Sequence, residues 1–115
     1  MDGTLIQCDM RHLSVADTSL DGVWLCASLL HLPRSQALDA LLEVRRVVHS
    51  GAPLFVGVQL GAGEEWKTDD GLRFFTYYQP DELESSVARA GFRVDASWEV
   101  SAEYVVWIYL VALAV

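Results

Sequence analysis

Short apolar runs that stop abruptly at polar residues divide this chain into predicted strands. Three of them, Leu5–Cys8, Val23–Ala27 and Leu54–Leu60, have the length and composition of strands buried in a sheet. The third is nearly apolar throughout, which indicates a central strand covered on both faces. The tail, Phe92–Val115, predicts two more strands that break near Ser101–Glu103 and pair antiparallel.

Two helices are predicted between these strands. The first follows Pro33, and Gly51 is its expected stop. Its predicted apolar face consists of Leu38, Leu41, Leu42 and Val48. The second helix begins at Pro80 and ends at Gly91, while the acidic stretch Gly61–Gly71 is predicted to be a loop. This alternation of strands and helices predicts an α/β fold with a mostly parallel sheet and an antiparallel carboxyl-terminal strand pair.

The charge balance excludes some partners. Sixteen acidic residues outnumber eight basic ones, which gives a formal net charge of −8. Binding to a nucleic-acid backbone needs a basic surface that displaces counterions, so neither DNA nor RNA is expected. An anionic membrane surface is disfavoured for the same reason. With 52% hydrophobic residues, the 115-residue chain is predicted to fold as a single domain, residues 1–115.

No segment predicts export or membrane insertion. The start, Met1–Gly3, is acidic and lacks the basic region of a signal peptide. The longest apolar run, Val105–Val115, has 11 residues, whereas a membrane-spanning helix needs about 20. A cytoplasmic location is therefore expected. Cys8 and Cys26 are predicted to be buried thiols, with a disulfide as the alternative.

An ordered set of segments resembles one enzyme family. Its members are Gln7-Cys-Asp-Met-Arg11, Asp21-Gly-Val-Trp24, Leu29-Leu-His-Leu-Pro33, Glu43-Val-Arg-Arg-Val-Val48, Arg73-Phe-Phe-Thr-Tyr-Tyr78, Pro80-Asp-Glu-Leu83 and Ala90-Gly-Phe92. In this order they resemble the carboxyl-terminal part, from the third strand onward, of class I S-adenosylmethionine-dependent methyltransferases of the type 11 kind. The resemblance implies a Rossmann-like sheet that lacks the family's first two strands, so that the domain is incomplete at its amino end. The first of these strands leads into a glycine-rich turn.

The resemblance also implies a cofactor site. In it, Asp9 accepts the amino hydrogens of adenine, and Met10 covers the ring. Ala27, Ser28 and Leu29 lie where the methionine half of S-adenosylmethionine passes. The alternative for Asp9 is a cap on the following turn, and the alternative for the small residues is close packing at a strand end.

Three residues are candidates for contact with a methyl acceptor. His31 is a candidate base, because imidazole titrates near neutral pH; the alternative is a packing or surface residue. Tyr77 and Tyr78 precede a helix and could close over a substrate, or they are structural tyrosines. No metal site is predicted, because the histidines, cysteines and acidic residues lack ligand spacing.

The sequence supports two hypotheses for the function. The first is methyl transfer from S-adenosylmethionine to a small-molecule acceptor. Cofactor binding by this chain alone is expected to be weak or absent, because no glycine-rich turn precedes the matching segments. The alternative is a non-catalytic binding or assembly module. Removal of two strands would expose an edge of the sheet, and exposed edges recruit partners, so a homodimer through that edge or through a swapped strand is a further expectation.

Overall fold

The computed structural model of the chain describes residues 17–26, 29–68 and 71–115. The predicted first strand, Leu5–Cys8, lies outside these ranges. The elements in chain order are β1 (Val23–Cys26), a 3₁₀-helical turn (Leu29–His31), α1 (Arg34–Val47), β2 (Pro53–Gln59), β3 (Glu64–Lys67), β4 (Arg73–Thr76), α2 (Pro80–Arg89), β5 (Phe92–Ala102) and β6 (Val105–Ala114).

Four strands form a mixed sheet in the order β1-β2-β6-β5. β1 and β2 run parallel, and β6 is antiparallel to both of its neighbours. The prediction of an antiparallel carboxyl-terminal pair is confirmed, and the break falls at Glu103–Tyr104. In β6 buried and half-buried residues alternate strictly from Trp107 onward, because successive side chains of a strand point to opposite faces.

Both helices pack on one face of the sheet. The side of α1 that enters the core consists of Ala37, Ala40, Leu41, Val44 and Val47, which have helical spacing. Leu42 was predicted to lie on this face but is 45% exposed. The prediction followed the larger side chains, whereas the small residues Ala37 and Ala40 occupy the contact positions and let the helix approach the sheet.

The helix ends agree with the prediction at α2 and differ at α1. Gly91, with φ of +104°, follows α2 in the left-handed conformation expected after a helix. At the start of α2, Gln79 and Glu82 form a reciprocal capping box. α1 ends at Val47, and Gly51 lies in the turn that leads to β2, with φ of +86°.

The stretch predicted to be a loop contains a strand. β3 pairs antiparallel with β4 to form a hairpin, from Glu64 opposite Thr76 to Lys67 opposite Arg73. Its first strand, Glu-Glu-Trp-Lys, is short and polar, so neither length nor alternation distinguishes it from a loop. The hairpin leaves the carboxyl end of β2 through Gly61–Gly63 and returns to the sheet where Tyr78 pairs with Leu60.

The face of the sheet opposite the helices carries a cluster of aromatic rings. We call it the aromatic face and define it by Trp24, Phe55, Trp98, Trp107 and Tyr109. Tyr109 is central, with its ring centroid 5.5 Å from that of Phe55 and 6.0 Å from that of Trp98. In the described ranges no helix is long and apolar enough to cross a membrane.

Candidate active site

The candidate site lies at the carboxyl ends of the parallel strands β1 and β2, where ligands bind in open α/β sheets. The 3₁₀-helical turn follows β1 there, and the β3–β4 hairpin follows β2. Of the predicted cofactor residues, Asp9, Met10, Ala27 and Ser28 lie outside the described residues. Leu29 is described and its side chain is fully buried in the core, so only its backbone is available to a ligand.

His31 is held in a defined orientation by the hairpin. Its Nδ1 lies 2.9 Å from the carbonyl oxygen of Phe74, and its ring meets the Phe75 ring edge to face at 4.9 Å. A carbonyl oxygen can only accept, so Nδ1 carries the proton in this contact. The neutral imidazole then presents Nε2 as an acceptor, which is the form a general base requires.

Tyr77 lies on the same hairpin, with its ring stacked on Phe75 at 6.4 Å. Its hydroxyl donates to Glu65 Oε1 at 2.8 Å. Partial burial and this hydrogen bond raise the pKa of Tyr77. The phenol therefore stays protonated near neutral pH and acts as a hydrogen-bond donor, not as a base.

Tyr78 points into the core instead of toward a ligand. Its side chain is 1% exposed, and burial raises the pKa of its hydroxyl to about 12. That hydroxyl has no hydrogen-bond partner among the described residues. The interior position follows from the hairpin's return to Leu60, which turns Tyr77 and Tyr78 to opposite sides. The structure therefore gives Tyr78 no surface for the substrate contact predicted from the sequence.

Arg34 connects the parts of the site and was missed at the sequence level. Its guanidinium donates to Glu82 Oε2 at 2.7 Å, to the Tyr77 carbonyl and to Glu64 Oε1 at 3.4 Å. It also lies 5.6 Å from the centroid of the Tyr78 ring. A cation in the first turn of a helix opposes the helix dipole. The arginine at this unfavourable position of α1 is a sequence signal that Arg34 has acidic partners from other elements.

Gln59, the last residue of β2, provides an observation that bears on the cofactor. Its side-chain oxygen is buried and accepts no hydrogen bond from the described residues. A buried acceptor without a donor fits a ligand that brings donors, and S-adenosylmethionine brings an ammonium, ribose hydroxyls and an adenine amino group. Gln59 could hold one of these groups beside the predicted contacts of Asp9 and Ser28.

A family model described as a methyltransferase domain matches residues 2–56 of the chain. Those residues include the predicted cofactor contacts and run through β1, α1 and most of β2. No curated protein matches the sequence.

Solved structures extend the likeness to nearly the whole chain. A SAM-dependent methyltransferase from Methanosarcina mazei superposes with a TM-score of 0.81 at 18% identity, over 92% of this chain. The 1,6-didemethyltoxoflavin-N1-methyltransferase of Burkholderia thailandensis, solved with its namesake compound and S-adenosylhomocysteine, gives a TM-score of 0.76 at 16% identity over 95% of this chain. The cyclase SpnF gives 0.73 at 21% identity over 93%.

These likenesses define the fold and leave the reaction open. The chain spans 64%, 49% and 54% of the lengths of these three proteins. A protein named a cyclase shares the fold with proteins named methyltransferases, so the fold alone does not determine the chemistry. The resemblance seen in the sequence is confirmed: this chain has the mixed α/β, Rossmann-like fold of S-adenosylmethionine-dependent methyltransferases, and its residues 2–56 match their methyltransferase-domain family.

Proposed function

We propose that this chain is part of an S-adenosylmethionine-dependent methyltransferase that acts on a small-molecule acceptor. The observation that carries the proposal is His31, whose Nδ1 is fixed by the Phe74 carbonyl at the carboxyl end of β1. The family match over residues 2–56 supports the cofactor. The net charge of −8 favours a small molecule over a nucleic acid as acceptor.

The chain's contribution to the reaction is mainly positioning. When bound, S-adenosylmethionine supplies a methyl group whose carbon–sulfur bond breaks as the acceptor's bond to the methyl carbon forms. His31 Nε2 would take the proton that an acceptor hydroxyl or amine loses in that step. Tyr77 could donate a hydrogen bond to a polar group of the acceptor by exchanging its contact with Glu65. Correct alignment of two reactants is worth several kcal/mol, up to about 7–11 in favourable cases.

Binding by the chain on its own is expected to be weak. In the family that the sequence resembles, a glycine-rich turn is expected to hold the methionine carboxylate, and residues 1–8 of the given sequence contain no such turn. We therefore expect a dissociation constant well above the micromolar range.

Calorimetry tests the proposal with S-adenosylhomocysteine as the ligand and NAD as a control of similar chemistry. The expected result is binding of S-adenosylhomocysteine at roughly 0.1–5 mM, corresponding to about −5.5 to −3 kcal/mol, and no measurable binding of NAD. Equal binding of NAD, or no heat from S-adenosylhomocysteine at several millimolar, would contradict the proposed cofactor. Micromolar affinity would contradict the expectation of weak binding.

The second candidate is an assembly module. Of the four strands in the described sheet, β1 is outermost, and a free strand edge can pair with another chain. Dimerisation through this edge or through a swapped strand remains a proposal. Sedimentation equilibrium tests this candidate, and a chain that stays monomeric at every concentration would contradict it.

A further inference from the structure

The ammonium of Lys67 lies in a small pocket of aromatic and acidic groups on the β3–β4 hairpin. Its Nζ is 5.0 Å from the centroid of the Phe75 ring and 5.8 Å from that of the Tyr77 ring. Glu65 Oε1 lies 3.7 Å from the same nitrogen. Aromatic faces attract a cation within about 6 Å of the ring centroid, and the carboxylate adds an opposite charge. We call Glu65, Phe75 and Tyr77 the cation site.

The pairing of β3 with β4 builds the cation site. Glu65 lies directly opposite Phe75, and Lys67 lies directly opposite Arg73. Side chains two residues apart on a strand point to the same face, so these four side chains and that of Tyr77 share one face of the hairpin. Glu65 Oε1 also accepts from the Tyr77 hydroxyl at 2.8 Å, which joins the acidic and aromatic walls without help from Lys67. The register of the hairpin therefore determines the site.

The cation site adjoins His31. The Phe75 ring that faces Lys67 also meets the His31 ring edge to face at 4.9 Å. Nε2 of the neutral imidazole is the candidate proton acceptor, since Nδ1 donates to the Phe74 carbonyl. A positive group held in the place of the Lys67 ammonium would therefore be separated from the candidate base by one phenyl ring.

We propose that the methyl acceptor is an alkylamine, which binds as its ammonium form in the place that Lys67 occupies. This inference rests on the proposed function, because it names the acceptor class of that same site. Exchange of one ammonium for another leaves the charge of the site unchanged. Arg73, whose guanidinium lies 5.4 Å from the Phe75 ring on the same face, therefore opposes the amine no more than it opposes Lys67. The net charge of −8 also attracts cations and repels anionic acceptors.

Methyl transfer to an amine balances in charge and protons. The ammonium loses one proton to His31 Nε2, and the lone pair that this leaves on nitrogen forms the bond to the methyl carbon. The carbon–sulfur bond breaks with its electron pair left on sulfur, so the products are a methylated ammonium and neutral S-adenosylhomocysteine. The imidazolium of His31 then returns its proton to water. Because the nitrogen is cationic before and after the step, the cation site suits both the acceptor and the product.

Lys67 competes with the acceptor for the cation site, which makes the proposal testable. It is the only lysine among the 115 residues. An ammonium on a flexible stem in a partly exposed ion pair is held weakly. Such a competitor reduces the apparent affinity of a ligand in proportion to the time that it fills the site. Lys67→Met keeps an apolar stem and removes the charge, so it should raise the affinity for an amine by about three- to tenfold.

NMR of the isotope-labelled chain without cofactor tests the proposal, with 2-phenylethylamine as the probe. The controls 2-phenylethanol and 3-phenylpropanoate keep the phenyl group and change the charge. The amine should bind at about 1–10 mM, as expected for a ligand of this size, and both controls about tenfold more weakly. The signals of Phe75, Tyr77 and His31 should shift. The Cε protons of Lys67, which lie over two rings, should move toward the shift of a free lysine side chain as the amine displaces them.

Two further variants separate the cation site from general effects of charge. Arg93→Met removes one positive charge at the other end of the sheet, where Arg93 pairs with Leu113 and Leu113 with Pro53 at the start of β2. This variant should bind the amine like wild type. Addition of Glu65→Gln to the Lys67→Met chain should weaken amine binding by about three- to tenfold, because the opposite charge is lost while the competitor is already absent.

Several results would overturn the proposal. One is binding of 2-phenylethanol or 3-phenylpropanoate as tight as that of the amine. Another is an affinity for the amine that Lys67→Met does not raise, or that Arg93→Met raises equally. A third is a Lys67 side chain with the shifts of a free lysine before any probe is added. Binding of S-adenosylhomocysteine is measured separately: its loss with amine binding intact contradicts the proposed function, whereas the reverse contradicts the amine inference alone.

Discussion

Arg34 and Glu82 join the two helices at the candidate site, with Arg34 Nε 2.7 Å from Glu82 Oε2. Glu82 also accepts from the backbone N–H of Gln79 in the capping box of α2. Through Glu64 and the Tyr77 carbonyl, the same guanidinium holds the β3–β4 hairpin. The hairpin in turn contacts His31 through the Phe74 carbonyl, so Arg34 links the two helices to the element that orients His31.

Replacing Arg34 by lysine should loosen the hairpin. An ammonium is a point charge and cannot reproduce three contacts made by a planar fork. We expect a loss of about 1 kcal/mol in the free energy of unfolding, at the low end because the pair is about one-third exposed. Amide hydrogen exchange of Tyr77, whose N–H donates to Gly63, should accelerate by roughly tenfold.

Arg45 provides the matched control for that measurement. Its guanidinium donates to the carbonyls of Gly91, Val48 and Val115 at the opposite end of the sheet. Arg45→Lys should cost comparable stability and leave the exchange of Tyr77 unchanged relative to global unfolding. Equal acceleration in both variants would show that Arg34 does not act on the hairpin specifically.

Tyr78→Phe should not destabilise the chain. The hydroxyl of Tyr78 is buried without a partner, and an unpaired buried hydroxyl costs about 1–3 kcal/mol. Removing it should leave the free energy of unfolding unchanged or raise it by about 1 kcal/mol in urea denaturation. Tyr77→Phe is the comparison, because that hydroxyl does have a partner in Glu65; a clear loss of stability in Tyr78→Phe would mean that its hydroxyl is bonded.

The contact between His49 and Asp21, which lies just before β1, should depend on pH. A hydrogen bond to the Ser50 carbonyl and one to Asp21 Oδ1 at 2.9 Å raise the pKa of His49 above 6.5. Since the folded-state pKa is the higher one, the stabilisation is complete below the unfolded value and is lost as pH rises through the folded value. NMR titration should give a higher pKa for His49 in the wild type than in Asp21→Asn, and equal values would contradict the pairing.

Gly57→Ala should disturb the aromatic face from within. A Cβ at Gly57 would lie 3.0 Å from the Tyr109 ring and 3.3 Å from Cys26 Sγ. We expect a loss of about 1–3 kcal/mol, because the ring must move away from close packing. Shifted Tyr109 ring signals should accompany the loss, and a variant with wild-type stability and signals would show that the ring does not lie over Gly57.

The sequence predicted the elements that local physics determines. Pro80 and Gly91 bracket α2 because one residue suits a first turn and the other a left-handed position. The uninterrupted apolar run of β6 is typical of a buried strand. The hairpin could not be predicted in the same way, since Glu64–Lys67 becomes a strand only through pairing with β4. The orientation of His31 depends on Phe74, 43 residues later, and no local pattern encodes such a contact.

The most direct test of the proposed site is an NMR titration of the ¹⁵N-labelled chain with S-adenosylhomocysteine up to about 5 mM, a concentration that detects weak binding. The predicted result is shift changes concentrated at Cys26, Leu29, His31 and Gln59, with binding lost in Asp9→Asn and unchanged in the distant variant Asp39→Asn. Changes that are absent, that occur only at the aromatic face, or that persist unaltered in Asp9→Asn would contradict a cofactor site at the carboxyl ends of β1 and β2.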